Sequence, residues 1–468
     1  MDDLHWLSAK ELLAAYREQT LSPVEVAEYL LGRIEALDAQ VNAFCLIDPE
    51  TTLAQATASE ERWQNGEPMG SLDGVPVAIK DLVLSKGWPT LRGSKTVARD
   101  QPWEHDAPSV ARLREHGAVF IGKTTTPEFG WKGTNDAPLT GTTRNPWNLN
   151  KTPGGSSGGA GAALSAGFCP LAIGTDAGGS IRIPASFSGV FGLKPTFGLV
   201  AAWPASPFGT LAHLGPMSRT VEDAALFLNV VSEPDPRDWF QQPFARTDFV
   251  QGLADGVKGT RVAFSPRLGW VKRVDPEVEE IVARAAARFA ELGAIVEQAD
   301  PPGGDPTSFF RVLYFSGAGF LLADLPEEKL ALLDPNLRAL VETSRGISRK
   351  EFQQATAERA AYGAGFKSFM QTYDFLLTPS TAVAAFDTPL VTPFDPHGQL
   401  WLDWTPFTYP FNLTTQPAAS ICCGFTRAGL PVGLQIVGRM GDDAGVLRAA
   451  RAFEQLGDFT GKHPKDFI

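Results

Sequence analysis

The sequence predicts an α/β fold, one large mixed β-sheet flanked by helices. Two observations predict it. Short apolar runs of four to six residues alternate with amphipathic stretches of helical period along the whole chain. No repeat, low-complexity stretch or linker divides its 468 residues, so the reading takes 1–468 as one unit. The 46 Gly and 36 Pro exceed ordinary usage and predict many tight turns and close backbone approaches.

The elements follow in order. Ser8 with Glu11 three residues on is a capping box for a first helix. Ser22-Pro23 starts a second, whose apolar stripe is Val24, Val26, Ala27, Leu30, Leu31 and Ile34. Residues 75–80 (VPVAIK) read as a strand that carries Lys80 to its end. A helix over 107–116 and a strand over 118–122 come next. Residues 123–155 are rich in Thr, Asn, Gly and Pro, and predict a long ordered loop or short pieces; such loops are usually functional. A tightly packed helix over 157–166 and a buried strand over 170–174 follow. Helices over 221–231 and 276–292 are amphipathic, and runs at 262–264 and 295–297 flank the second in βαβ style. Residues 307–373 are mostly helical. Strands over 418–423 and 431–437 pair around a turn at 427–429, and a helix over 442–455 closes the chain.

Composition excludes several classes. The formal net charge is −12, which argues against wrapping a nucleic-acid backbone. Hydrophobic residues at 43% and charged residues at 20% exclude general disorder. Cys45, Cys169, Cys422 and Cys423 form neither a CxxC pair nor a disulfide framework. The start MDDLHW has no apolar signal region, and no apolar run reaches membrane-spanning length. The reading therefore expects a soluble, cytoplasmic protein with reduced thiols.

Three segments carry chemistry: 74–81 (GVPVAIKD), 154–159 (GGSSGG) and 174–184 (GTDAGGSIRIP). A phosphate loop of Walker type is excluded, since no Gly-Lys-Ser/Thr follows the glycines. Residues 154–158 also fit the G-x-S-x-G elbow of α/β-hydrolases, which would make Ser156 the nucleophile. That reading needs a strand directly before the elbow and a later His. Residues 143–153 read as loop, and only His213, His397 and His463 lie downstream. In the third segment, consecutive N–H groups at Gly178 and Gly179 can point at one spot, as in an oxyanion hole. Ser180, just after them, would attack the carbonyl held there. Its hydroxyl needs a base. With no His in these segments, Lys80 is the candidate, made neutral by burial at a strand end.

All three segments resemble the amidase signature family. The spacing matches as well, 76 residues from Lys80 to Ser156 and 24 from Ser156 to Ser180. The resemblance extends through 144–147 (RNPW), 192–195 (GLKP), 215–218 (GPMS) and 429–438 (GLPVGLQIVG), and is weakest over about 233–375. It implies a triad of Ser180 as nucleophile, Ser156 as bridging Ser after a cis Gly155–Ser156 peptide, and Lys80 as base. It implies an oxyanion hole from the N–H groups of Ala177, Gly178, Gly179 and Ser180. It makes Ser157, Asp176 and Arg182 braces of that loop. The implied reaction is amide hydrolysis through an acyl-enzyme, without metal or cofactor. A non-catalytic member of the fold would lack Lys80 or Ser180, and both are present.

Within the family the alternative is the glutaminase subunit of a tRNA-dependent amidotransferase complex. That branch holds glutamine through an Arg in a basic-aromatic segment and an Asp before an Asn-Leu pair. Residues 310–330 contain no such segment, and Thr405 stands where the Asp would precede Asn412-Leu413. The aromatic stretch 401–413 (WLDWTPFTYPFNL) resembles stand-alone amidases of neutral, apolar or aryl substrates. Phe129, Trp131, Trp404 and Phe407 are the candidate pocket wall. Esters and carbamates (urethanes) are chemically within reach of the same machinery. The expected partner is thus a small-molecule amide or carbamate, with no nucleic acid and no membrane, in a monomer or homodimer. The divergent stretch 233–375 is a candidate cover for the site.

Overall fold

The computed structural model describes residues 4–467 apart from Pro396, Gln399, Asp458 and Thr460. Its first helices begin where side chains replace missing backbone partners. Ser8 accepts from the Glu11 N–H while Glu11 reaches back to the Ser8 N–H, opening Ala9–Arg17. Ser22 and Glu25 repeat the arrangement for Pro23–Val41, with Pro23 in the first turn.

The strands are, in chain order, β1 (Phe44–Leu46), β2 (Pro76–Lys80), β3 (Val119–Thr124), β4 (Asp136–Ala137) and β5 (Gly141–Thr142). Then come β6 (Leu171–Asp176), β7 (Phe191–Lys194), β8 (His213–Ser218), β9 (Arg261–Phe264) and β10 (Ile295–Gln298). The last are β11 (Phe375–Pro379), β12 (Ala418–Phe425) and β13 (Pro431–Gly438). Eleven of them form one mixed sheet in the order β1-β3-β2-β6-β8-β7-β12-β13-β11-β9-β10, while β4 and β5 pair separately. Strands β3, β2 and β6 run parallel, so the carboxyl ends of β2 and β6 lie side by side. Open α/β sheets place their ligands at such ends. The expected alternation of strand and helix, and one large mixed sheet, are what the structure shows.

Details differ. Strands β7, β8 and β11 and the helices Pro49–Gln64 and Arg182–Ser188 carry no helical or alternating period that sets them apart in the sequence. Strand β11 is buried at every position, so it shows no polar side. The stretch 233–375 supplies β9 and β10, paired in parallel at one end of the sheet, and the helix Thr307–Leu322. No helix among the described residues is long and apolar enough to cross a membrane.

The stretch 123–155 is short pieces, as expected, and most of it is buried. Every residue of the helix Gly158–Ser165 is buried behind it. Its glycine content follows from that contact: a Cβ on Gly159 would lie 2.4 Å from Thr125 Oγ1 and 2.5 Å from the Thr125 nitrogen. Gly155 is equally confined, since a Cβ there would lie 2.4 Å from the Thr134 carbonyl oxygen. Small residues thus let the helix and the turn before it press against the loop.

Candidate active site

Lys80 ends β2, and its side chain is wholly buried. Nζ lies 2.7 Å from Ser156 Oγ, 2.9 Å from Ser157 Oγ and 2.8 Å from Thr175 Oγ1. Burial pushes the amine well below its ordinary 10.5, and the nearby Asp176 carboxylate opposes this only in part. A neutral amine has two N–H groups and one lone pair. Ser157 is placed to donate to the Thr175 carbonyl at 3.2 Å, so its oxygen is free to accept from Lys80. With Thr175 accepting the second hydrogen, the lone pair faces the Ser156 hydroxyl. Lys80 can then act as a base toward Ser156.

Ser156 follows a cis Gly155–Ser156 peptide and is 2% exposed. Ser180 follows the Gly178-Gly179 turn and is 8% exposed. Both line one cavity. The Ser157 N–H donates to the Ser180 carbonyl at 3.1 Å and ties the two serine segments together.

The loop carrying Ser180 is built around Asp176. Its Oδ1 accepts from the Gly179 N–H at 2.7 Å, Arg182 Nη2 at 2.9 Å and Asn412 Nδ2 at 2.8 Å. Its Oδ2 accepts from Arg182 Nε at 3.0 Å and the Ile181 N–H at 3.2 Å. Burial pushes this carboxyl up, but the Arg182 guanidinium outweighs it and holds the group well below the usual carboxylate range. Arg182 Nη1 donates to the Thr408 carbonyl at 2.8 Å and Gln435 Oε1 at 2.7 Å, and Nη2 also reaches Asn412 Oδ1 at 2.8 Å. All five guanidinium N–H groups are thereby engaged. Ser157, Asp176 and Arg182 hydrogen-bond to this loop, and of the three Asp176 also lines the cavity.

One expectation about the oxyanion hole needs correction. The Gly179 N–H is donated to Asp176 and is not free to meet an oxyanion in this state. Among the described residues, none accepts from the N–H of Ala177, Gly178 or Ser180. Three of the four expected donors are thus unengaged.

The elbow reading does not assemble. His213 Nδ1 lies 2.9 Å from the Leu211 carbonyl and its Nε2 3.5 Å from Lys194 Nζ, and it bonds neither serine. Burial and the neighbouring Lys194 push its pKa well below 6.5. Residues 152–155, ahead of Ser156, are not a strand.

The cavity encloses about 170 Å³. Its wall is mainly apolar, with Leu82, Leu84, Phe129, Trp203, Phe208 and Leu321. Of the four aromatic residues expected there, only Phe129 lines it. Trp131 is 2% exposed, and the Tyr314 hydroxyl donates to its carbonyl. Trp404 is fully buried, stacked 5.5 Å from Phe187, with its indole N–H on the Val391 carbonyl. Phe407 is fully buried in the main apolar core. Trp404 and Phe407 are core because the stretch 401–413 packs inward, and Trp131 joins the buried apolar cluster that holds Trp404; composition alone shows the aromatic content and not its direction. Phe407→Ala is therefore expected to cost about 3–5 kcal/mol of stability. Denaturant midpoints check this, and KM should stay near the wild-type value.

Four residues escaped the sequence reading: Thr175, Arg92, Trp203 and Phe208. Thr175 sits beside Asp176 at the end of a strand that is otherwise apolar. Trp203 and Phe208 lie in a Pro-rich loop, where large aromatics with no periodic partners were the available signal.

Comparisons with known proteins show the family. The amidase family profile matches residues 25–447. An acylamidase of Rhodococcus erythropolis is 40% identical, over all of this chain and 98% of its own length. A glutamyl-tRNA(Gln) amidotransferase component of Chloroflexus aurantiacus is 33% identical, over 99% of each chain. The solved structure of a bacterial aryl acylamidase superposes with a TM-score of 0.90 at 31% identity, covering 97% of this chain and 96% of that one. A 6-aminohexanoate cyclic dimer hydrolase bound to its substrate also gives 0.90, at 29% identity and full coverage of both. A buried lysine bonded to a serine beside a second, glycine-cradled serine, found in a chain that matches amide hydrolases end to end, places this protein in the amidase signature family of amide-hydrolysing enzymes.

Proposed function

We propose that this enzyme hydrolyses neutral amides with apolar or aryl flanks, through an acyl-enzyme on Ser180. The observation that carries the mechanism is the Lys80 Nζ to Ser156 Oγ contact of 2.7 Å within a wholly buried site. Neutral Lys80 takes the Ser156 proton as Ser156 takes that of Ser180. The Ser180 oxygen attacks the carbonyl carbon, and the N–H groups of Ala177, Gly178 and Ser180 receive the oxyanion. Ser156 then protonates the leaving nitrogen, and the amine departs. Water, deprotonated along the same relay, attacks the ester and releases the acid.

The apolar cavity wall supports the substrate class, as does the likeness to an acylamidase and an aryl acylamidase. Carbamates extend it, since a urethane adds only one oxygen beside the carbonyl. The test is arylamine release from butyryl-4-nitroanilide, run beside glutamine hydrolysis. The proposal expects anilide cleavage and negligible ammonia from glutamine. Ammonia from glutamine with an intact anilide would instead favour the amidotransferase role. Pre-steady-state mixing should also show a burst of arylamine equal to the enzyme concentration wherever deacylation is slow. Intact mass should then increase by one acyl group, and Ser180→Ala should show neither.

A further inference from the structure

Of the described residues lining the cavity, Arg92 is the one that carries a fixed positive charge, in a wall that is otherwise mainly apolar. It is half-buried, and burial lowers its pKa. Among the described residues, none forms an ion pair or a side-chain hydrogen bond with its guanidinium. Asp81 is the acid that attracts it, but Asp81 is committed elsewhere, 3.4 Å from Lys123. Charges withdrawn from water are ordinarily paired. An arginine left without a partner in a substrate cavity is an open binding valence.

The backbone shows that this placement is built. Asp81 follows Lys80 directly, and its two oxygens accept from the N–H groups on either side of Arg92. Those are Leu91 to Oδ1 and Gly93 to Oδ2, both at 3.1 Å. Held between them, Arg92 adopts φ of 58°, a left-handed conformation uncommon outside glycine. Its carbonyl accepts from the Phe129 N–H at 2.8 Å. Phe129 is itself left-handed, with φ of 52°, and lines the same cavity. Two residues in sparsely populated conformations, bonded to each other and both facing one site, are the kind of strain that marks function.

We propose that Arg92 is a specificity-determining residue that binds a carboxylate on the substrate. The inference rests on the aryl-amide reading and adds one charge to it. Guanidinium matches a carboxylate through two parallel N–H bonds, and the surrounding apolar wall strengthens them.

The experiment uses two pairs of amides differing by one carboxylate. One pair, butyryl- and glutaryl-4-nitroanilide, carries it on the acyl side. The other, butyryl-4-nitroanilide and the butyryl amide of 5-amino-2-nitrobenzoate, carries it on the leaving group. Wild-type enzyme should favour the carboxylated member of at least one pair by about tenfold or more in kcat/KM. That ratio should collapse in Arg92→Met, chiefly through KM, and return in part in Arg92→Lys. No preference in either pair, read on the wild type alone, would overturn the proposal. So would a preference that survives Arg92→Met. Wild-type silence toward all three amides would overturn the aryl-amide reading, and this one with it.

Discussion

Replacing Lys80 by Ala lowers kcat/KM for anilide hydrolysis by about 10⁴-fold or more, the scale seen when one member of a nucleophile–base unit is lost. The size follows from the geometry. Among the described residues Nζ is the one basic nitrogen bonded to Ser156, and His213 is turned away toward the Leu211 carbonyl and Lys194. Lys80→Met, which keeps the apolar stem, should lose activity to a similar extent. A retained melting transition in that variant separates lost chemistry from lost fold. The pH profile gives a second signature. The amine must be neutral to act, so kcat/KM rises as pH rises through its pKa. Burial sets that pKa well below 10.5, so the ascending limb ends well short of that pH and is absent from the residual activity of the variants. An unchanged limb in Lys80→Ala would show that another group is the base.

Arg182→Met is expected to destabilise the fold by about 3–5 kcal/mol, because it strands the Asp176 carboxylate in the interior. Both side chains are fully buried. The sign of the pH effect follows from linkage. Asp176 is depressed in the native state, so its contribution is complete above its ordinary 3.8 and is lost as pH falls toward the native value. Without Arg182 the native carboxyl pKa rises. The stability gap between the two proteins is then widest at neutral pH and narrows in acid. Urea midpoints at pH 7 and pH 4 measure it. Equal gaps at the two values would mean that Asp176 is held down by something other than the guanidinium.

Much of this was legible in the sequence, for physical reasons. Ser8-Glu11 and Ser22-Pro23 mark helix starts because capping is local. Strands β2 and β6 show as apolar runs because both faces are buried. Ser156 and Ser180 stand out because they sit in glycine-rich turns, Lys80 because it ends an apolar strand, and the three together because their segments resemble the amidase signature family. What stayed hidden depends on direction. Trp404 and Phe407 share an aromatic stretch with residues near the cavity, yet they point into the core, and which way a turn faces is set by distant packing. Thr175 reads as one more strand residue until Lys80 arrives beside it on the neighbouring strand. The occupied Gly179 N–H was equally invisible, since it depends on how the Asp176 carboxylate turns. Arg92 carries no signal in the sequence because a single arginine in a loop usually meets solvent.

The reach of Arg182 has a consequence for the order in which the enzyme comes alive. Its guanidinium joins the turn that carries Ser180 to Asn412 and Gln435, 230 and 253 residues further along. A ribosome that has released residues 1–400 has already delivered all three triad residues, but not the groups that lock the turn. Hydrolytic competence therefore waits for the last strands of the sheet to insert. A nick between 380 and 410 would divide the centre into a fragment with the triad and a fragment with its anchors, inert until the two rejoin.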